Sequence, residues 1–192
     1  MTTPTQHYSI IFAGVGGQGV LSLAQLTLEA ARREGYYILQ SEIHGMSQRG
    51  GMVNSHVQFS KTPVSSPIIT QGTAQMIVAT EPLESLRYVS YLNAQGVIIS
   101  TKSQLKNFAG YPELDFLMKK MEKLPTRLID TDPLLQQIGF KQGLGTILLG
   151  IASQRLPIQK STWQTVITDL FLPKGQSVVD KNWKAFELGS SL

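Results

Sequence analysis

At 192 residues the chain is long enough for a complete hydrophobic core, and length alone favours one domain over 1–192. Its 16% charged content leaves a sparsely charged surface, part of which is expected to lie under a partner, and the scattered basic residues behind its net charge of +4 argue against nucleic acid. The absence of cysteine excludes disulfides, thiolate metal sites and any iron–sulfur cluster held by this chain alone. His7, His44 and His56 lack metal-ligand spacing. No run approaches the roughly 18 apolar residues of a membrane span, and the first residues lack the basic start and apolar stretch of a signal peptide. The expectation is a soluble cytoplasmic protein with no membrane contact.

Residues 8–13 form a short apolar run rich in β-formers that ends in glycine, the pattern of a buried strand. From 18 to 34 the apolar residues Val20, Leu21, Ala24, Leu28 and Ala31 recur at helical spacing. Arg32 and Arg33 suit the helix C-terminus, and Gly35 supplies the stop. Residues 36–39 give a second strand, so the chain opens as strand, glycine turn, helix and strand with a right-handed crossover. Residues 52–59 alternate apolar and polar, which predicts a half-exposed strand, antiparallel or at an edge. Pro63 and Pro67 mark a loop. A strand over 75–79, a helix from Pro82 to about residue 92, a strand over 97–100, a helix over 111–124 and a strand over 127–130 follow. The remainder reads as helices over 144–155 and 161–171 and a short one over 182–187. The fold class is α/β: a three-layer, Rossmann-like, mostly parallel sheet with a helical C-terminal third.

Two glycine loops carry the chemistry. Gly14-Val15-Gly16-Gly17-Gln18-Gly19 has the Gly-x-Gly-x-x-Gly spacing between a strand and a helix, where backbone N–H groups can approach a phosphate. A dinucleotide site also needs an acidic residue at the end of the second strand. Glu42 is the candidate, but Gln40 and Ser41 hold the more natural position. Taken alone, such a turn can also serve only to pack helix against strand.

The second loop, 41–51, reads Ser-Glu-Ile-His-Gly-Met-Ser-Gln-Arg-Gly-Gly. Arg49 beside Gly50 and Gly51 puts a planar fork of donors next to permissive backbone, suited to phosphate or carboxylate. Ser47, Gln48 and His44 add neutral hydrogen-bonding groups. Each has a plainer alternative: His44 satisfying a buried carbonyl, Arg49 pairing with Glu42, Gln48 capping a turn. The cluster outweighs these, because so many polar and glycine residues between two strands are costly unless they line something. His56, on the alternating strand, reads as structural or interfacial, and Trp163 and Trp183 as core or interface anchors.

Gly14 to Val20, Ser41 to Gly51, Ser66-Pro67-Ile68, Glu81-Pro82-Leu83-Glu84 with Leu86-Arg87, and Asn182 with Ala185 to Gly189 form a pattern spanning nearly the whole chain. It resembles the small subunit of the 2-oxoacid:ferredoxin oxidoreductases, called beta in the indolepyruvate branch and gamma in the pyruvate and 2-oxoglutarate branches. The His-Gly-Met form at 44–46 points to the indolepyruvate branch.

The resemblance implies oxidative decarboxylation of a 2-oxoacid on thiamine diphosphate, with electrons passing through iron–sulfur clusters to ferredoxin and the acyl group leaving on coenzyme A. Thiamine diphosphate, magnesium and the clusters are then expected in a larger partner subunit, since this chain has neither cysteine nor a Gly-Asp-Gly…Asn stretch. No catalytic residue and no metal ligand is assigned to it. Gly16, Gly17, Gln18, Gly19, His44, Ser47, Gln48, Arg49 and Gly50 form its cofactor-binding edge, facing the partner's cofactor region or a phosphate of coenzyme A. The alternatives are a stand-alone Rossmann-type nucleotide-binding module and a purely structural assembly subunit.

Overall fold

The computed structural model describes residues 7–44 and 50–192, with His44 described by its backbone alone. A six-stranded sheet runs in the order β2-β3-β1-β4-β5-β6. Its strands are β1 (His7–Val15), β2 (Tyr37–His44), β3 (Met52–Ser60), β4 (Ala74–Ala79), β5 (Leu92–Thr101) and β6 (Thr126–Ile129). β1, β4, β5 and β6 pair in parallel, whereas β3 is antiparallel to both β1 and β2.

The strands' two faces carry separate cores, as the alternation of side chains along a strand requires. Ile10, Phe12, Val57, Phe59, Met76, Val78 and Ile99 pack beneath α1 (Val20–Arg33) and the C-terminal helices α5 (Leu144–Ser153), α6 (Lys160–Phe171) and α7 (Gln176–Ser190). Ile11, Ala13, Ile77, Ala79 and Ile98 face the other way, toward Tyr88 beyond α2 (Pro82–Leu86) and Met121 of α3 (Leu114–Met121). The result is the expected three layers. Full burial of each large apolar side chain contributes about 1.5–3 kcal/mol, so Phe12, Phe59, Trp163 and Phe186 anchor the thicker layer. α5 is buried on all sides, consistent with its nearly unbroken apolar sequence.

Four elements differ from the sequence reading. β3 is antiparallel but lies inside the sheet, between β2 and β1, and its polar face is buried. Asn54, His56 and Gln58 are only 2%, 2% and 5% exposed. The chain between β3 and β4 and the residues after α2 cover that face and bond to it, leaving Asn54 Oδ1 without a hydrogen-bond partner. The His56 ring nitrogen Nδ1 accepts from the Ile69 N–H at 3.1 Å, Gln58 donates to the Ser66 carbonyl at 2.7 Å, and Asn54 donates to the Tyr88 hydroxyl at 2.7 Å. His56 is thus a structural histidine, its basicity lowered by burial.

The helix after Pro82 stops at Leu86, and a 3-10 turn at Val89–Tyr91 leads directly into β5. A helix α4 (Asp132–Ile138), with Pro133 in its first turn, fills a stretch to which the sequence pattern assigns no element, and α7 begins earlier than expected, at Gln176.

Candidate functional site

β1 ends at Val15, and the glycine turn bends the chain into α1. Gly17 and Gly19 take φ of +100° and +77°, conformations that a side chain would strain. Gly19 is the N-cap of α1, where no side chain caps the helix and the first turn has no acidic residue. The first N–H groups of this 14-residue helix therefore keep their capacity for an acceptor, and the helix dipole favours an anion there.

Gln18 serves the turn itself. Its Oε1 accepts from the Val15 N–H and from the Thr80 hydroxyl, both at 2.9 Å, and its Nε2 donates to the Thr80 carbonyl at 3.2 Å. The side chain staples the end of β1 to the end of β4. The Gly16 N–H donates to the Gly51 carbonyl at 2.8 Å, which brings the start of β3 against the turn. Gly50 has φ of +77°, and its carbonyl accepts from Asn107 Nδ2 at 2.6 Å. The two loops thus meet at Gly16 and Gly50–Gly51. Ser47, Gln48 and Arg49 lie outside the described residues, as does the side chain of His44.

A groove of about 730 Å³ opens beside the turn, with Gly17, Gln18, Gly19 and Ser22 on one wall and Leu105, Gln142, Thr146 and Asn182 on others. Thr146 donates to Asn182 Oδ1 at 2.8 Å, fixing two polar groups of α5 and α7 at its floor. Lys141, Lys174 and Lys181 also line it. These lysines escaped the sequence reading because they are dispersed along the chain and fall in separate elements. The clue available was the adjacency of Lys181 to Asn182. Three ammonium groups and an uncapped helix start within one groove favour a polyanion. A second cavity, about 700 Å³, includes Ser153 at the other end of α5 and contains none of the candidate residues.

Glu81, two residues beyond β4, is completely buried. Burial pushes its carboxyl up from 4.5 to about 7, against the backbone N–H groups of Glu84, Leu83 and Leu105, which favour the charged form. The Tyr111 hydroxyl donates to its Oε1.

The geometry does not suit a dinucleotide. In that fold the acidic residue that holds the ribose stands on the strand beside β1. Here β3 is inserted between β1 and β2, so Glu42 sits two strands away, roughly 9–10 Å at ordinary strand spacing, and is exposed with Gln40 donating to it at 2.7 Å.

The family model described as pyruvate ferredoxin/flavodoxin oxidoreductase matches residues 9–192. The chain belongs to this family. It is 34% identical to the indolepyruvate oxidoreductase subunit IorB of Thermococcus kodakarensis, over 96% of this chain and 95% of that one. It is 28% identical to the common gamma subunit of the pyruvate and ketoisovalerate oxidoreductases of Pyrococcus abyssi, over 92% and 91%.

Among solved structures, the 2-oxoglutarate:ferredoxin oxidoreductase of Magnetococcus marinus superposes with a TM-score of 0.76 at 19% identity. The match covers 96% of this chain but only 30% of that one. That likeness confirms the fold. Like these relatives, the oxidoreductase chain described here is a subunit of a 2-oxoacid:ferredoxin oxidoreductase. Among the described residues no cluster of His, Asp or Glu could hold a metal, and no helix is long and apolar enough to cross a membrane.

Proposed function

We propose that this chain, acting as one domain over 1–192, forms the coenzyme A side of an oxidoreductase that oxidatively decarboxylates indolepyruvate or a related 2-oxoacid. The observation that carries the reading is the groove itself: an uncapped helix start at Gly19, positive-φ glycines beside it, and three lysines on its walls. Coenzyme A carries a pyrophosphate and a ribose phosphate, negative charges of the kind that the lysines and the helix start would attract. Gly17 and Gly19 would approach the phosphates with backbone N–H groups, while Gly16, bonded to the Gly51 carbonyl, and Gln18 keep the turn in shape. His44, Ser47, Gln48, Arg49 and Gly50 remain the proposed second wall. The Magnetococcus enzyme, whose structure holds 2-oxoglutarate, coenzyme A and succinyl-CoA, agrees with this class of co-substrate.

The substrate follows the IorB relatives, which match this chain more strongly than the gamma subunits do. A chain without cysteine has no thiolates for iron–sulfur clusters. The clusters therefore belong to a larger partner subunit. Following the family resemblance, thiamine diphosphate and magnesium are assigned to that subunit too, which passes electrons to ferredoxin, and the complex is cytoplasmic.

Purification of the chain from its own cells, with native mass spectrometry, iron and thiamine analysis, and an assay with indolepyruvate, coenzyme A and ferredoxin, tests this reading. A heteromeric complex that is active, and whose KM for coenzyme A rises in Gly17→Ala, is the expected result. A homodimer carrying a nucleotide would overturn it.

A further inference from the structure

Glu81 does more than its position requires. As N-cap of α2 its Oε2 accepts from the Glu84 N–H at 2.9 Å, which a short exposed side chain could achieve as well. Yet this carboxyl is completely buried, an arrangement that costs free energy unless its oxygens are used. Its Oε1 accepts from the Tyr111 hydroxyl, and the Leu105 N–H favours its charged form. Both groups belong to the irregular connection between β5 and α3. The hydrogen bond from Tyr111 thus ties this segment to the carboxyl, and the Leu105 amide, six residues earlier, adds an electrostatic attraction.

That segment reaches the site. Leu105 forms part of the groove wall, and Asn107 donates to the Gly50 carbonyl at 2.6 Å. The adjacent Gly51 carbonyl accepts from the Gly16 N–H at 2.8 Å. The end of the second loop is therefore clamped between the glycine turn and the 105–111 segment. Ser103 anchors the segment's start, its hydroxyl donating to Asp132 at 2.6 Å, and Gln104 donates to the Pro112 carbonyl at 3.2 Å. Glu81 holds the Tyr111 end, while Asn107 reaches the second loop.

We propose that Glu81 is a positioning residue for the groove, acting through the 105–111 segment and Asn107 to hold Gly50–Gly51 against the glycine turn. This rests on the coenzyme A reading of the groove. Glu81 touches no ligand in this scheme. It decides where Leu105 and the Gly50 carbonyl stand when one arrives.

The test uses the full chain as purified from its own cells, with hydrogen exchange at the Gly16 amide and calorimetric titration of coenzyme A. Glu81→Ala should speed exchange at Gly16 and weaken coenzyme A binding, each by about tenfold, the scale of one lost hydrogen bond. Asn107→Ala should do the same. Because both act through one chain of contacts, the double variant should add little to either single one. Glu81→Gln, which keeps an acceptor, should recover most of the loss. Amides of β4 serve as the control for general loosening. Should Glu81→Ala not fold, Tyr111→Phe takes its place.

Unchanged exchange at Gly16, or fully additive effects in the double variant, overturns the proposal. If Gly17→Ala weakens coenzyme A binding and Glu81→Ala does not, positioning fails while the functional reading stands. If the unaltered protein takes no coenzyme A, that reading fails, and exchange at Gly16 still decides the positioning.

Discussion

The glycine turn after β1 and the contact between α5 and α7 are both built on glycine, and the two regions demand opposite properties of it. In the turn, Gly17 and Gly19 have positive φ, and a Cβ at either would find nothing within 4 Å. Between the helices, a Cβ on Gly189 would run into the Ile147 carbonyl, and one on Gly150 would meet the Phe186 carbonyl and stand 2.9 Å from the Ser190 nitrogen. The helix pair uses glycine to let two backbones touch. The turn uses it to bend while leaving space open. Gly72 and Gly110 are equally open at positive φ, so it is the groove beside Gly17 and Gly19, at the start of a helix, that turns open space into a candidate site.

The largest expected effect is therefore at the helix contact. Gly189→Ala forces α7 away from α5 along a fully buried seam, and overpacking against rigid backbone costs about 3 kcal/mol or more. For a chain of this length the melting temperature should fall by on the order of 10 °C in a thermal scan. A variant that melts like the parent would mean that the helices separate easily and that the contrast does not hold.

The next effect belongs to the turn's side of the molecule and depends on pH. Glu81 has its folded pKa raised from 4.5 to about 7. Below the unfolded value both states are protonated and nothing is lost. As pH rises from about 4.5 to 7 the unfolded chain releases this proton while the folded chain retains it, so stability falls. The cost levels off above the folded pKa, at about 3 kcal/mol. His56 acts in the opposite direction as pH falls, since its folded pKa is lowered by burial. The clean measurement is the stability of Glu81→Gln minus that of the parent by urea unfolding at pH 5 and pH 8. That difference should shift in favour of the variant at the higher pH, and a difference independent of pH would contradict the burial argument.

The sequence made the turn legible and hid much of what surrounds it. Glycine spacing after an apolar strand is a local signal, and α1 with its terminal Arg32 and Arg33 is equally local. The placement of β3 is not. Its alternation of Val53, Ser55, Val57 and Phe59 with Asn54, His56 and Gln58 gave a half-exposed strand, because nothing local shows that the chain between β3 and β4 folds back over the polar face. The insertion of β3 beside β1, which moves Glu42 out of reach of the turn, is likewise a matter of pairing between distant segments. α4 is short, seven residues with only Ile138 buried, so its helical periodicity is too brief to stand out, and Pro133 marks its first turn. The lysines of the groove come from three separate elements, so only the fold brings them together. Ser47, Gln48 and Arg49 stay where the sequence left them, as proposed ligand contacts.

Removing the staple sharpens the comparison further. Gln18→Ala leaves the Val15 N–H and the Thr80 hydroxyl without their shared acceptor, at a cost of about 2 kcal/mol for groups largely shielded from water. The loss should appear in the denaturant midpoint with little change in slope. It should also loosen the Gly16–Gly51 contact in hydrogen exchange, because the turn loses its link to β4. An unaffected Gly16 amide would show that the turn holds its shape without the staple.

The smallest expected effect on stability carries the most information about function. Gly17→Ala places a methyl group in open space at φ of +100°, so the cost is backbone strain alone, about 1–2 kcal/mol. The same methyl stands where a phosphate would approach the start of α1. Coenzyme A binding should therefore weaken by more than the stability change would imply, tenfold or more. In Gly189→Ala the order reverses: a large loss of stability, and near-normal affinity in whatever fraction remains folded. If Gly17→Ala instead destabilises the chain as severely as Gly189→Ala and leaves coenzyme A affinity intact, then both glycines serve packing, and the open space beside the turn is not a ligand site.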